Sequence, residues 1–298
     1  MARRAWRVGW RVWISLALLS GPAGALEPAS TIFFQSERDG NMEIYVIRAD
    51  GTGLARLTDH LGADISADVS PDGEWIVFSS DRAGTYNLFR MRVDGTEVTQ
   101  LTNSDGYDFY PSWSPDGTRI VFQRSGDRDA ELVVLDIETR EETVITDNNV
   151  EDRMPDWSPD GEWIVFARGN VGRQHIAMTR PDGSGCAALT GEHFVQGAPQ
   201  WSPDGTQVAF NRDSGDRNAD IYVVTVDGSE EKRLTQSAAI DEFPVWSPQG
   251  DAIAFWSLRF GDADIFILEL DGGSGTPIHL QRSSGWDGPT AWTAAPDS

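Results

Sequence analysis

The chain has very little with which to crosslink or coordinate. Of its 298 residues, one is cysteine (Cys186) and four are histidine. A single thiol closes no internal disulfide, so a fold of this length must hold together by packing. Cys186 lies in a strand-like segment and is expected to be a buried thiol. His60, His175, His193 and His279 nowhere stand at metal-ligand spacing. Lysine is reduced to Lys232, and the formal charge is −23. Binding phosphate needs a basic surface, so nucleic acid and anionic lipid are excluded as partners. Helical periodicity is missing. The Gly-x-Ser-x-Gly elbow of a nucleophilic hydrolase is also absent, as is the strand–helix context it requires.

The first 25 residues read as a leader. Arg3, Arg4, Arg7 and Arg11 precede the apolar stretch Val12 to Leu19, and Gly21-Pro22 and Ala23-Gly24-Ala25 follow it. A basic start, a short apolar segment and a small-x-small end describe a signal peptide cut after Ala25. The apolar stretch is shorter than the roughly 20 residues a membrane span requires. The expected protein is therefore exported, periplasmic or extracellular, and not membrane-spanning. Residues 26–298 form the folded part.

What the chain does have is repetition. Pro-x-Trp-Ser-Pro recurs around Trp113, Trp157, Trp201 and Trp246, each time followed by Asp-Gly or Gln-Gly. A weaker copy is Val69-Ser70-Pro71-Asp72-Gly73, and a fragment remains at Trp292-Thr293. The spacing of 44 to 46 residues marks one supersecondary unit repeated. In residues 108–146, Asp108–Ser114 is a first strand, and Pro115-Asp116-Gly117 closes a tight turn. Pro fixes φ there and Gly accepts the positive φ. Arg119–Gln123, Glu131–Asp136 and Glu142–Thr146 read as three further strands. The second-strand phenylalanines fall in register at Phe34, Phe78, Phe122, Phe166, Phe210 and Phe255.

Four short strands per repeat of about 44 residues describe a β-propeller blade. The expected fold is all-β: a six-bladed propeller with four antiparallel strands per blade. The blades run 31–58 plus 287–293, 64–102, 108–146, 152–190, 196–235 and 241–280. The first copy begins at its second strand and the last segment is a first strand without a successor. The C-terminal strand should therefore complete the N-terminal blade, close the ring and remove open sheet edges.

Pro-x-Trp-Ser-Pro-Asp-Gly, then Ile-x-Phe-x-Ser-x-Arg, Ile-Tyr, Asp-Gly and Leu-Thr resembles the WD-like propeller repeat of TolB-type proteins. Blade two shows it at Trp75–Arg82, Asp94-Gly95 and Leu101-Thr102. The resemblance covers residues 31–293, the propeller alone, without the N-terminal domain of TolB. It implies an exported, non-catalytic binding protein. Similar propellers also accompany serine peptidases, and some act as polysaccharide lyases.

Five residues before each Trp position stand Asp64, Asp108, Asp152, Gln196, Asp241 and Asp287. First strands line a propeller channel, so five carboxylates and one amide should gather at its mouth. Crowded like charges need a cation or arginines between them. One reading is a hard-cation site, with calcium as the fitting metal. The other is a structural belt with Arg38, Arg82, Arg124, Arg168, Arg212 and Arg259, which follow the second-strand Phe by two or four residues. Asp residues capping their own turns would serve equally. The one cofactor the sequence suggests is calcium at this ring.

The serines of Trp-Ser-Pro recur in every copy and so serve the blade. The repeated tryptophans should pack between blades. His175 replaces an acidic or amide residue and is expected to be exposed at the mouth, while Trp256 and Trp286 break the pattern. The expected function is binding or scaffolding by a monomer. A protein, peptide or small ligand would sit over the mouth, contacted by the six arginines, His175 and Trp286. The alternative is a metal-dependent polysaccharide lyase or hydrolase in the channel.

Overall fold

The computed structural model describes residues 30–126, 129–170, 172–192, 194–213, 215, 218–270, 277–281 and 285–294. The leader assigned to residues 1–25 lies outside them, as does His193.

The described residues form six four-stranded antiparallel sheets and no helix. Blade 1 is built from Asp287–Thr293, Thr31–Ser36, Glu43–Arg48 and Ala55–Arg56, in that order from the channel outward. The C-terminal strand pairs with the N-terminal one from Thr31↔Thr293 to Ser36↔Asp287. The inner strand of each blade packs beside those of its two neighbours, and Asp287–Thr293 touches the inner strand of blade 2. The ring closes where tail meets head.

Blade 3 shows how the residues make this unit. Its strands are Tyr107–Trp113, Arg119–Ser125, Ala130–Asp136 and Glu142–Val144. Pro115 sits at the second turn position and Gly117 takes φ +69°. Gly117 N–H donates to the Ser114 carbonyl at 2.9 Å. The Ser114 hydroxyl donates to Asp116 at 2.6 Å and accepts from Arg119 N–H at 2.9 Å. The turn is thus locked from inside, and the serine's recurrence has a structural cause.

The threonine of each Leu-Thr pair serves the opposite end. Its Oγ1 accepts from a third-strand N–H at 2.9–3.0 Å in blades 1 to 5, beginning with Thr58 and Ile44.

The core is six seams. Each apolar cluster joins residues of two neighbouring blades; one gathers Val77, Leu88 and Leu101 with Trp113, Ile120 and Phe122. Val121, between Ile120 and Phe122, faces the next seam with Trp157. Strands buried on both faces read as continuous apolar runs, which explains Ile-Val-Phe. The six repeated phenylalanines are fully buried, each stabilising the fold by about 2–3 kcal/mol. Trp113, Trp157, Trp201 and Trp246 lie in the seams as expected.

Cys186 corrects its expectation. It is exposed, just before the short outer strand Ala187–Ala188. It occupies the place that Glu142 holds in blade 3 and Glu231 in blade 5, where side chains face solvent. Arg168 Nη1 lies 2.7 Å from its sulfur.

Candidate functional site at the channel mouth

The acidic residues that open the inner strands are fully buried: Asp64, Asp108, Asp152, Asp241 and Asp287, together with Gln196. Each carboxylate meets the arginine of its own blade. The pairs are Arg38–Asp287 at 2.7 Å, Arg82–Asp64 at 2.5 Å, Arg124–Asp108 at 2.7 Å, Arg168–Asp152 at 2.7 Å and Arg259–Asp241 at 2.8 Å. In blade 5 the amide Gln196 is satisfied by Thr190 and the Gly191 carbonyl, and Arg212 turns outward to Glu231.

Each guanidinium also lies over the second-strand phenylalanine of its blade, at 5.1 to 5.5 Å from the ring centroid. This cation–π contact caps the end of the blade core. The six arginines are therefore engaged within their own blades. The five carboxylates are each compensated separately, and among the described residues no three metal-ligating side chains come together as a metal-holding group.

His175 also corrects its expectation. It is 8% exposed, because it belongs to the third-strand position at which Glu43, Asn87 and Asp220 turn inward. Those residues tie down the exit loop; Glu43 accepts from His60 N–H at 2.9 Å and Asn87 from Ser104 N–H at 2.9 Å. Burial pushes the His175 imidazole pKa below its usual value.

Two residues beyond each ring position the inner strand carries a β-bulge, so two residues oppose one on the second strand. In five blades the first bulged residue has positive φ without being glycine: Ser66 at 54°, Tyr110 at 51°, Met154 at 52°, Ala198 at 46° and Phe243 at 54°. Such backbone costs of the order of 1 kcal/mol or more for a residue with a Cβ. Its effect is to turn these side chains into the channel, where they line a cavity of about 100 Å³ with Trp286, Pro289 and Gln35. Blade 1 has Pro289 at this place.

The bulged side chains include an aromatic bridge. Tyr110 of blade 3 and Phe243 of blade 6, three blades apart, stack at 6.3 Å between centroids. The run continues through Phe109 and Tyr86 on one side (6.3 and 4.8 Å). On the other side it passes through Trp256 and Trp286 (6.5 and 5.8 Å). Aromatic rings, half-buried except for the buried Trp256, thus run across the channel mouth.

Below the bridge, a second ring stitches the seams. Asp68 accepts from Trp113 N–H at 2.8 Å, Ser112 from Trp157 N–H at 3.2 Å, Asp156 from Trp201 N–H at 2.8 Å and Gln200 from Trp246 N–H at 2.6 Å. Each bond joins one blade to the next. Val245 and Ala291, at the same place in blades 6 and 1, have no side-chain acceptor. Burial pushes Asp68 up to about 6 and Asp156 up to about 7, the latter aided by the charge of Asp68.

Of the residues singled out from sequence, the structure places Trp286 at the mouth, Trp256 buried behind it and the arginines beside it rather than in it. Tyr110, Met154 and Phe243 were missed. Their signal was variability: Ser, Tyr, Met, Ala, Phe and Pro occupy one position of an otherwise repeating frame.

A closed six-bladed ring with a variable mouth defines the class: a β-propeller that presents side chains at one end of its channel. The TolB β-propeller domain model matches residues 20–196 and 186–292. The chain belongs to the TolB β-propeller domain family. No curated protein is matched by the sequence. Among solved structures, TolB from Acinetobacter baumannii superposes with a TM-score of 0.78 at 17% identity, covering 91% of this chain and 68% of that one. A putative TolB from Agrobacterium tumefaciens gives 0.69 at 21%, covering 88% and 92%. An oligogalacturonate lyase in complex with manganese gives 0.61 at 19%, covering 85% and 74%. These likenesses show the fold.

Proposed function

We propose that this protein is an exported, monomeric, non-catalytic binding module that engages a protein or peptide partner at the channel mouth. The Tyr110–Phe243 bridge carries this reading. Aromatic side chains placed on strained backbone at the end of a rigid ring offer a large contact surface at low entropic cost. Rigid scaffolds commonly use such edges for recognition. The leader-like residues 1–25 support export. Among the described residues no helix is long and apolar enough to cross a membrane.

The channel-metal lyase or hydrolase alternative rests on fold likeness alone, and the ring carboxylates favour it little because each already faces a guanidinium.

The test is site-specific photo-crosslinking in the exporting cell. A photoreactive residue at position 110 should trap a defined partner. The same residue at 138, on the exposed turn at the far end of blade 3, should not. Equal labelling from both sites, or none from 110, sinks the reading.

A further inference from the structure

The second-strand residues Val77, Val121 and Val165 each face the seam with the following blade, beside Trp113, Trp157 and Trp201. On the third strand Arg90 stands opposite Val77 and Met178 opposite Val165, so these two hold the same place in the repeat. Arg90 lies over Trp75, its guanidinium 4.4 Å from the ring centroid. In the next seam Arg119, from the start of the second strand, lies 4.8 Å from the Trp157 centroid. Blade 4 has Met178 in the place of Arg90 and Trp163 in the place of Arg119. The seam between blades 4 and 5 keeps instead a cleft of about 450 Å³, walled by Trp163, Met178, Trp201 and Val226 with Asp160 and Asp204 at its rim.

The rim is charged and only half engaged. Asp160 Oδ1 accepts from the Ser158 hydroxyl at 2.6 Å and from Glu162 N–H at 2.9 Å. Asp204 Oδ1 accepts from the Ser202 hydroxyl at 2.6 Å and from Thr206 N–H at 3.0 Å. Neither Oδ2 takes a hydrogen bond among the described residues. The turn bonds hold both carboxyls below the ordinary value, so both are ionised at neutral pH. Arg92 adds its charge at Asp72 and Arg119 at Asp116, whereas Asp160 and Asp204 are held by their own turns. Arg180 lies 4.6 Å from the Trp163 centroid, but Glu162 holds it at 3.2 Å and it does not line the cleft. Trp163 itself remains half-buried and forms part of the wall.

Wall and rim together select a ligand. A hard metal ion needs several converging oxygens, and indole, thioether and Val walls supply none. An anion meets two carboxylates. An apolar molecule leaves both of them uncompensated. A guanidinium suits both elements, since it stacks on indole while its fork pairs with carboxylate. The chain already makes that contact on its own indoles through Arg90, Arg119 and Arg180.

We propose that the cleft between blades 4 and 5, at the end of the propeller away from the mouth, binds the guanidinium group of a small free ligand. The group takes the place that Arg90 and Arg119 fill in the two preceding seams, flat against Trp163 and paired at the rim with Asp160 and Asp204. This site is separate from the mouth and stands independently of partner binding there.

The experiment is calorimetric titration of the full chain with agmatine, a small guanidinium compound. Its control is N-carbamoylputrescine, which keeps the shape and the ammonium tail but replaces guanidinium with neutral urea. Agmatine should bind about tenfold tighter than the control. Met178→Arg supplies an internal guanidinium, as blade 2 does, and should abolish agmatine binding with the melting temperature unchanged or higher. Asp204→Asn keeps the Oδ1 acceptor for its turn and should weaken agmatine about threefold while leaving the control unchanged. N-acetyl-arginine methylamide stands for a chain-borne side chain. Weaker binding than agmatine supports a free ligand, and equal or tighter binding overturns that part of the proposal. Equal affinity for agmatine and N-carbamoylputrescine overturns the site, as does absence of agmatine binding. So does a guanidinium preference that survives either substitution in a folded variant. None of these outcomes bears on the mouth, which crosslinking from position 110 judges.

Discussion

The Trp113 backbone N–H donates to the Asp68 carboxylate 2.8 Å away, across the seam between blades 2 and 3. Forty-five residues separate the two in sequence, one turn of the repeat. The same relation between Asp156 and Trp201 makes a pair of carboxylates into seam fasteners facing the channel.

These fasteners make stability depend on pH. Asp68 and Asp156 have folded-state pKa values of about 6 and about 7, raised from 3.8. The folded state therefore binds protons more tightly than the unfolded one, and stability falls as pH rises from about 4 to about 7, then levels off. Asp156→Asn keeps an acceptor for Trp201 and removes the charge. Its melting temperature at pH 8 should exceed that of the unmodified protein by about 2 °C, with a flatter pH profile. A steeper profile refutes the assignment.

Acid works in the opposite sense on the turns. Hydrogen bonds from their own turns hold Asp72, Asp116, Asp160 and Asp204 below the ordinary value, the serine hydroxyl of each turn leading, and hold Asp227 at about 2. Depressed values contribute stability above the unfolded pKa that is lost as pH falls through the folded one. Chemical denaturation should show a stability decline below about pH 4, opposite in slope to the decline toward pH 7.

The arginine clamps differ in how replaceable they are. Arg124 has a second carboxylate, Glu142, at 2.5 Å, whereas Arg259 pairs with Asp241 alone among the described residues. Asp241→Asn should cost about 2 kcal/mol, since it strands a half-buried guanidinium. Asp108→Asn should cost under about 1 kcal/mol. Urea unfolding of both variants decides; equal losses contradict the clamp.

A divalent cation has no vacant carboxylate set to enter at the ring. Adding calcium or manganese, or a chelator, should leave the melting temperature within about 1 °C. A large shift that disappears in Asp108→Asn/Asp152→Asn would revive the channel-metal alternative.

Ring closure depends on the last strand. Ending the chain at Gln281 removes the partner of Thr31–Ser36, buried Trp292 and the Asp287 clamp. That product should aggregate or melt without cooperativity, whereas ending at Ala294 should leave the melt unchanged.

The architecture was legible because it is written in period. Copies of Trp-Ser-Pro, Phe and Leu-Thr in fixed register specify blades. A first strand missing at one end and spare at the other specifies closure. The pairing partners Asp108 and Arg124 were legible too, but their destination was not. Alternation along a strand does not say that a carboxylate turns back to its own blade rather than toward the axis. The mouth was hidden by the bulge, which inserts one residue and so shifts Tyr110 and Phe243 out of simple alternation. His175 and Cys186 were misplaced because one substitution in a repeated slot says little about which way the slot faces.

The bulged position stands outside the regular pairing of each inner strand. Its residue belongs to none of the six seam clusters and to no arginine clamp. Six such sockets around one axis amount to a combination lock. A new specificity needs a handful of substitutions on a frame that never has to be rebuilt.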